Sequence, residues 1–469
     1  LLTSNKYLRI LNDKQHRRQG KKSVTKDSLP PSVKPDWIGG HFRTFRRDPT
    51  GFLTRMARLG DVSYFRMGNV RAYFVNHPDM VRDVLVVNAH KFHKGRALQR
   101  AKGLLGEGLL TSEEQVHLRQ RRLVQPAFHK QRIISYAEAM TAYADRMANK
   151  WQGGGEVRDI DHEMMRLTLQ IVGKTLFSAD ITDEADEVGA AMTTIVNLFN
   201  FLLLPFSEWL EKLPLPHSIR FRKAKAKLDE VIYGFINERR ASGEDKGDLL
   251  SMLLLSQDEE SGGGMSDSQV RDECLTLFLA GHETTANLLT WTWYLLSQNP
   301  AAEAKLHEEL DRVLGGRLPA FADLPALKYT EAVVAESMRL YPPAWVVGRL
   351  ATEEHEFNGY KVSPGSLVLV SEYVMHRDPR FWEDAEDFKP ERWEQQSVKE
   401  ASQKNIYFPF GGGVRRCIGE QFAWTEGILL LATLARKWKL RLDPQQKIGL
   451  KPQITLRPKF GMRMKIEQR

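Results

Sequence analysis

The chain has 469 residues, of which 42% are hydrophobic and only two are cysteine, and its formal net charge is +9. This length supplies a large core, two cysteines exclude a disulfide framework, and no uninterrupted apolar run approaches the ~20 residues of a membrane span. Dividing by ~150 residues per domain suggests about three domains, but no linker supports that count, because helical patterning resumes on both sides of every Gly- or Pro-rich stretch.

Taken in chain order, residues 1–34 read as a basic, irregular arm, with KYLRILNDKQHRRQGKKSVTK carrying much of the charge. Such arms contact nucleic acid or an anionic membrane surface, or are solvated tails. The last is expected here, with no nucleic-acid partner. Residues 35–469 read as a single domain, mainly α with a small β portion. GDVSYFRMGNVRAYFVNH (60–77) alternates around a Gly-Asn pair and predicts a hairpin. From about 112 to 255 the pattern is a series of amphipathic helices, broken at WQGGGE (151–156) and LPLPH (213–217). Ser266 and Gln269 form a capping box. It opens a helix of over 30 residues that runs to Asn299-Pro300, about 45 Å at 1.5 Å per residue. Residues 301–340 predict more helix, and 349–374 predict short strands with Asn-Gly and Pro-Gly turns. A final helix is expected from near Cys417 to about Lys437, followed by short strands. Cys274 lies in the long helix and reads as a small buried hydrophobe. Free cysteines fit a reducing compartment, and a cytoplasmic location is expected.

The stretch FPFGGGVRRCIGEQFA carries the other cysteine. Gly411, Gly412 and Gly413 permit a tight turn and a close approach. Cys417 falls at the start of a helix, where the dipole and free N–H groups favour a thiolate. Arg415 adds a cation able to pair with an acidic group of a ligand. The pattern suits an anionic sulfur held against something flat and bulky, and haem iron fits. The alternative is a glycine loop that caps a helix, with an inert Cys.

Within LFLAGHETTANLLTW, Gly281 costs about 1 kcal/mol relative to Ala, and Glu283, Thr284 and Thr285 are polar in an apolar helix. Buried polar groups need partners. Ala280 and Gly281 are expected to leave room over a cofactor face, with Thr284 and Glu283 positioning water and relaying protons. The alternative is a helix–helix contact with a hydrogen-bonded Thr. Glu336 and Arg339 are spaced i, i+3, commonly a surface pair worth ~0.5 kcal/mol or less. Arg392 in FKPERW turns them into a candidate buried network.

Together these motifs resemble the cytochrome P-450 (haem-thiolate monooxygenase) superfamily, over roughly residues 35–465. The cysteine signature FxxGxRxCxG is met at Phe410, Gly413, Arg415, Cys417 and Gly419. The pattern [A/G]Gx[D/E]T[T/S] is met at Ala280, Gly281, Glu283, Thr284 and Thr285, and ExxR and PER follow in order. The resemblance implies the family fold, with the long helix over haem b. It makes Cys417 the axial thiolate, with Phe410 near the sulfur side. Thr284 becomes the oxygen-activating threonine, Glu283 its acid, and Glu336, Arg339 and Arg392 fold-determining residues. Four positions are implied as propionate contacts: Arg415, Arg349, His376 and the WxxxR pair, where His117 stands in place of Trp ahead of Arg121.

The resemblance further implies a pocket lined by Leu104, Leu105, Phe278, Ala280, Ala344, Trp345, Val346, Ile454 and Thr455, mostly apolar and suited to a lipophilic substrate. NLFNFLLLPFSEWLEKL (197–213) lies where the family has its access lid and leaves a peripheral membrane contact open. AGHETT is similar to bacterial fatty-acid hydroxylases, and DIDHEMMRLTL, YPPAW and QITLRP to a bacterial carotenoid hydroxylase. The implied activity is insertion of one oxygen atom of O2 into a fatty acid, terpenoid or carotenoid. A peroxygenase and a haem-thiolate sensor are the alternatives. Electrons would come from NAD(P)H through a separate reductase and a ferredoxin or flavodoxin, docking on a basic side near Lys389, Arg392 and Arg416.

Overall fold

The computed structural model describes residues 29–37, 39–151, 155–182, 184–202, 213–256 and 263–469. Most of the basic arm (1–28), most of the expected lid (203–212) and part of the WQGGGE break (152–154) lie outside the described residues.

Helices α1 (Pro49–Ala57) and α2 (Arg96–Leu105) precede the expected amphipathic series, and the series itself forms α3 (Glu114–Val124), α4 (Lys130–Lys150), α5 (Ile160–Phe177), α6 (Ala185–Leu202), α7 (Pro216–Ser242) and α8 (Leu249–Leu255). The long helix is α9 (Asp267–Gln298), opened by the Ser266–Gln269 capping box. It is followed by α10 (Pro300–Leu314) and α11 (Lys328–Leu340). The last helix, α12, spans Glu420–Ala435, with residues 425–435 all buried.

Helix α9 is the axis of the main core. Its residues 285–293 are buried without interruption, as befits a helix with packed neighbours on every side. The Thr168 hydroxyl of α5 donates to the His282 carbonyl at 2.9 Å. A Cβ on Gly281 would meet Val172 Cγ2 at 3.1 Å, so this glycine serves the close contact of α5 with α9. That corrects the expectation that Gly281 opens the cofactor face. Gly427 of α12 lies against Leu288 from another side. Among the described residues no helix is long and apolar enough to cross a membrane.

The β portion lies at the edge of this core. Strands β1 (Val62–Met67) and β2 (Val70–Val75) form the expected hairpin. They extend into a five-stranded sheet of order β1-β2-β8-β5-β3, with β3 at Phe92–Lys94, β5 at Val347–Ala351 and β8 at Leu367–Val370. Between β5 and β8, β6 (His355–Phe357) and β7 (Tyr360–Val362) make a separate hairpin. The predicted strand region stops at β8, since residues 372–375 form a short helix. Strand β4 (Val157–Asp159) pairs with β12 (Arg463–Gln468), which also pairs with β9 (Trp438–Leu442). A hairpin of β10 (Leu450–Pro452) and β11 (Leu456–Pro458) lies against α9.

Candidate active site

The cysteine loop is shaped by its own backbone. Gly411 N–H donates to the Phe408 carbonyl at 2.9 Å, and Cys417 N–H donates to the Phe410 carbonyl at 2.9 Å. Gly413 has φ +61°, and a Cβ there would collide with the Leu85 carbonyl oxygen, so only glycine fits. Helix α12 starts three residues after Cys417, with Gly419 as its N-cap.

Protein atoms crowd the Cys417 sulfur, yet the residue remains accessible. It opens to a cleft of about 480 Å³ that is also lined by Arg121, Gln125, Phe128, Gln421 and Trp424. Burial pushes the thiol up to about 11; the Gly419 N–H, Arg121 and Arg416 pull against this, and Glu420 adds to it. The helix start alone therefore does not make the expected thiolate. A metal cation bound at the sulfur would supply the missing stabilisation, because a coordinating thiol is deprotonated by its metal.

A cluster of cations accompanies the loop. Antiparallel pairing of β3 with β5 sets Lys94 directly opposite Arg349, and like charges in that position repel. Burial lowers Lys94 to about 7, helped by Arg415 and Arg349. Burial also lowers Arg349 to about 10, with Arg415 adding to the effect. His117 falls to about 3 through burial, then through Arg415, Lys94 and Arg121. Against these cations stand two acidic side chains. Glu113 accepts from the Lys94 backbone N–H and pairs with Arg415. Glu372 is fully buried, with neither oxygen hydrogen-bonded, and burial raises it to about 8.

This donor set fits a group bearing two carboxylates, as haem does. Arg349, Arg415, Arg121, Lys94 and a neutral His117 would hold its propionates, and Cys417 would ligate its iron. When bound, such a haem supplies dioxygen chemistry tuned by an electron-donating thiolate. Sequence reasoning missed Lys94. The available signal was its place on the same face of β3 as Phe92, a lysine on a buried strand face.

His376 is not brought into this cluster. Its ring is buried, Nε2 accepts from Phe408 N–H at 2.9 Å, and the ring lies 4.9 Å from that of Tyr407. Its carbonyl accepts from Arg339 at 2.8 Å. His376 thus bridges the cysteine loop and the Glu336 network, which corrects its assignment as a propionate contact.

The Glu336 network is formed as expected. Glu336 and Arg339 are fully buried, with N–O distances of 2.9 Å. Arg392 Nε donates to Glu336 at 2.9 Å and Trp393 Nε1 at 3.0 Å. Remaining Arg339 N–H groups reach the Ala385 and Asp387 carbonyls. The three cations expected to form a basic docking side are each committed elsewhere. Lys389 pairs with Asp384, Arg392 with Glu336 and Arg416 with Glu420. These residues do not form a free basic patch.

On α9, Ala280 is exposed and Thr284 half-buried, although the helix runs through the core. The Thr284 hydroxyl donates to the Ala280 carbonyl at 2.8 Å. Glu283 is buried and turns away from Thr284, accepting from the Thr455 hydroxyl at 2.6 Å. Burial raises its carboxyl, and Thr455 and Arg457 oppose the rise.

The expected pocket wall is dispersed. Leu104, Leu105 and Phe278 are buried in the main core, where Phe278 meets Phe177 edge-on at 5.6 Å. Trp345 packs with Leu367 and Leu369, and its Nε1 donates to the Gln453 carbonyl at 3.0 Å. Ala344 and Val346 are half-buried and Ile454 is exposed. Phe278, Trp345 and Thr455 are therefore packing or hydrogen-bonding residues here rather than open wall.

A model of the cytochrome P-450 family matches residues 30–464. The chain is 43% identical over 422 residues to a cyclooctatin synthase of Streptomyces melanosporofaciens, covering 89% of this chain and 91% of the relative. It is 38% identical over 440 residues to a cyclooctat-9-en-7-ol 5-monooxygenase of the same organism, covering 91% and 95%. A pentalenene oxygenase of Streptomyces avermitilis is 36% identical over 414 residues, covering 88% and 91%. With the cysteine loop, the ExxR network and near full-length relatives agreeing, the chain belongs to the cytochrome P-450 family and is a haem-thiolate monooxygenase.

Proposed function

We propose that this monooxygenase hydroxylates a terpenoid, with Cys417 as the axial ligand and electrons delivered by separate proteins. The observation that carries the substrate class is near full-length similarity to relatives named for cyclooctatin, cyclooctat-9-en-7-ol and pentalenene, which are terpenoid oxygenases. The exposed Ala280 beside the half-buried Thr284 supports an opening at mid-helix for an apolar ligand. Fatty acids find no such support, and a carotenoid is the second reading, favoured by similarity to a plant carotene epsilon-monooxygenase.

Glu283 and Thr284 are proposed to pass protons into the site and hold water there, which supports dioxygen rather than peroxide as oxidant. NAD(P)H is the proposed electron source, through a reductase and a ferredoxin- or flavodoxin-like carrier. Its proposed docking place is the cleft beside Cys417, lined also by Gln125, Phe128 and Gln421. A cytoplasmic location is supported by two free cysteines.

The test is a titration of the ferric protein with sesquiterpene and diterpene hydrocarbons, their mono-alcohols, a carotenoid and a long-chain fatty acid, read on the haem absorption band. A saturable low- to high-spin shift with a terpene or its alcohol is expected. A shift with the fatty acid alone overturns the substrate class.

A further inference from the structure

The hairpin β10–β11 is fastened to α9 by Glu283, Asn287 and Trp291. These residues are spaced four apart and so share one helix face. The Thr455 hydroxyl donates to Glu283 Oε1 at 2.6 Å, and Asn287 Nδ2 donates to Thr455 Oγ1 at 3.1 Å. One turn on, Trp291 Nε1 donates to the Leu456 carbonyl at 2.9 Å. The Asn287 amide occupies the acceptor side of Thr455, so the hydroxyl hydrogen is directed to Glu283. Thr455 is thereby a fixed donor to a buried carboxylate, and buried carboxylates are stable as anions only with such partners.

The surrounding charges have the same consequence. Hairpin register sets Lys451 opposite Arg457. Arg457 pairs with Asp161 of α5 at 3.2 Å. Lys451 donates to Asn197 of α6 at 2.6 Å, and among the described residues no carboxylate lies within ion-pair distance of it. The charged groups around Glu283 are therefore Arg457 on β11, Lys451 on β10 and Asp161 on α5. On α9 itself, burial keeps His282 neutral, lowering it to about 4. Arg457 and Lys451 favour an ionised Glu283, as the Thr455 hydroxyl does, while burial and Asp161 oppose it.

We infer that Thr455 is a positioning residue for Glu283: its hydroxyl, oriented by Asn287, holds the Glu283 side chain against the hairpin as a carboxylate. The inference rests on the reading of Glu283 as the proton-passing acid. It moves Thr455 from the substrate wall, where sequence resemblance put it, into the proton machinery.

The test uses the ferric holoenzyme and the variants T455V, T455S and E283Q. Infrared difference spectra across a pH series follow buried carboxyl C=O bands, and the band missing in E283Q belongs to Glu283. In T455V the apparent proton affinity of that band should rise about tenfold or more, one pKa unit. In T455S, which keeps the hydroxyl, it should stay within about threefold, half a unit. A T455V titration that matches the native protein overturns the inference. So does weaker terpenoid binding in T455V with the Glu283 titration unmoved, because that returns Thr455 to the wall. Product formed per electron pair is measured in parallel. Native coupling and native solvent isotope effect in E283Q overturn the role of Glu283 itself, an outcome separable from the infrared result for Thr455.

Discussion

Replacing Glu336 by Gln removes one charge from a fully buried network while keeping the side chain's shape. The native carboxylate accepts five hydrogen bonds: from Arg339 Nε and Nη2, Arg392 Nε, Trp393 Nε1 and the Lys389 backbone N–H. All five donors converge on two oxygens, so an amide in the same place turns its NH2 against N–H donors and leaves Arg339 as an uncompensated buried charge. Breaking a buried pair in this way costs about 3–5 kcal/mol. That is a large part of a typical stability of about 5–15 kcal/mol. Arg392 is partly exposed, and water can replace some of its partners. R392A should therefore cost less, about 1.5–3 kcal/mol, the range for a hydrogen bond to a charged group. The assay is denaturant unfolding of the haem-loaded protein, with haem content measured alongside because bound cofactor raises apparent stability. The expected order is native, then R392A, then E336Q, with E336Q also losing haem. An E336Q protein within about 1 kcal/mol of native, with full haem content, would refute the argument that buried charge governs this network.

Further outcomes are expected elsewhere. Lys94 has a folded pKa near 7, below its ordinary value. The unfolded chain therefore binds the extra proton between about pH 7 and 10.4, and stability must rise with pH across that window. Thermal unfolding of the haem-free protein should show this rise, and K94M should flatten it and raise stability at pH 7. G281A sets a methyl against Val172 at 3.1 Å; overpacking of about 1–3 kcal/mol opposes the ~1 kcal/mol that Ala gains over Gly in a helix, so a net loss of up to about 2 kcal/mol is expected in thermal unfolding, and a net gain would overturn the close-contact role of Gly281. T284A should consume electrons without matching product, measured as NAD(P)H used per alcohol formed, while the spectral binding titration stays native. C417A should keep its helical circular dichroism but lose the absorption signature of thiolate-ligated haem.

Much of this protein was legible along the chain, where the signal is local. The capping box at Ser266 and Gln269, the Gly-Asn hairpin and the glycine loop before Cys417 are set by backbone geometry over a few residues. The order of the ExxR, PER and cysteine motifs carried the family. Lys94 was not legible. Its meaning comes from β3 pairing with β5, and strand register joins residues 255 positions apart. The direction taken by the Glu283 carboxyl was hidden for the same reason, since its partner Thr455 lies 172 positions away. His376 shows the converse. Its motif suggested a cofactor contact, and packing against Tyr407 and Phe408 assigned it to the scaffold.

By itself, then, the sequence determined most helices from about residue 112 onward, which cysteine stands in a glycine loop, and which chemistry such a loop supports. The tertiary structure alone decided which cations crowd together, which acid faces which hydroxyl, and which apolar residues are core rather than wall. The division is physical: periodicity, capping and turn chemistry act between near neighbours, whereas charge crowding, burial and hydrogen-bond partnership depend on distances that exist only once the chain has folded.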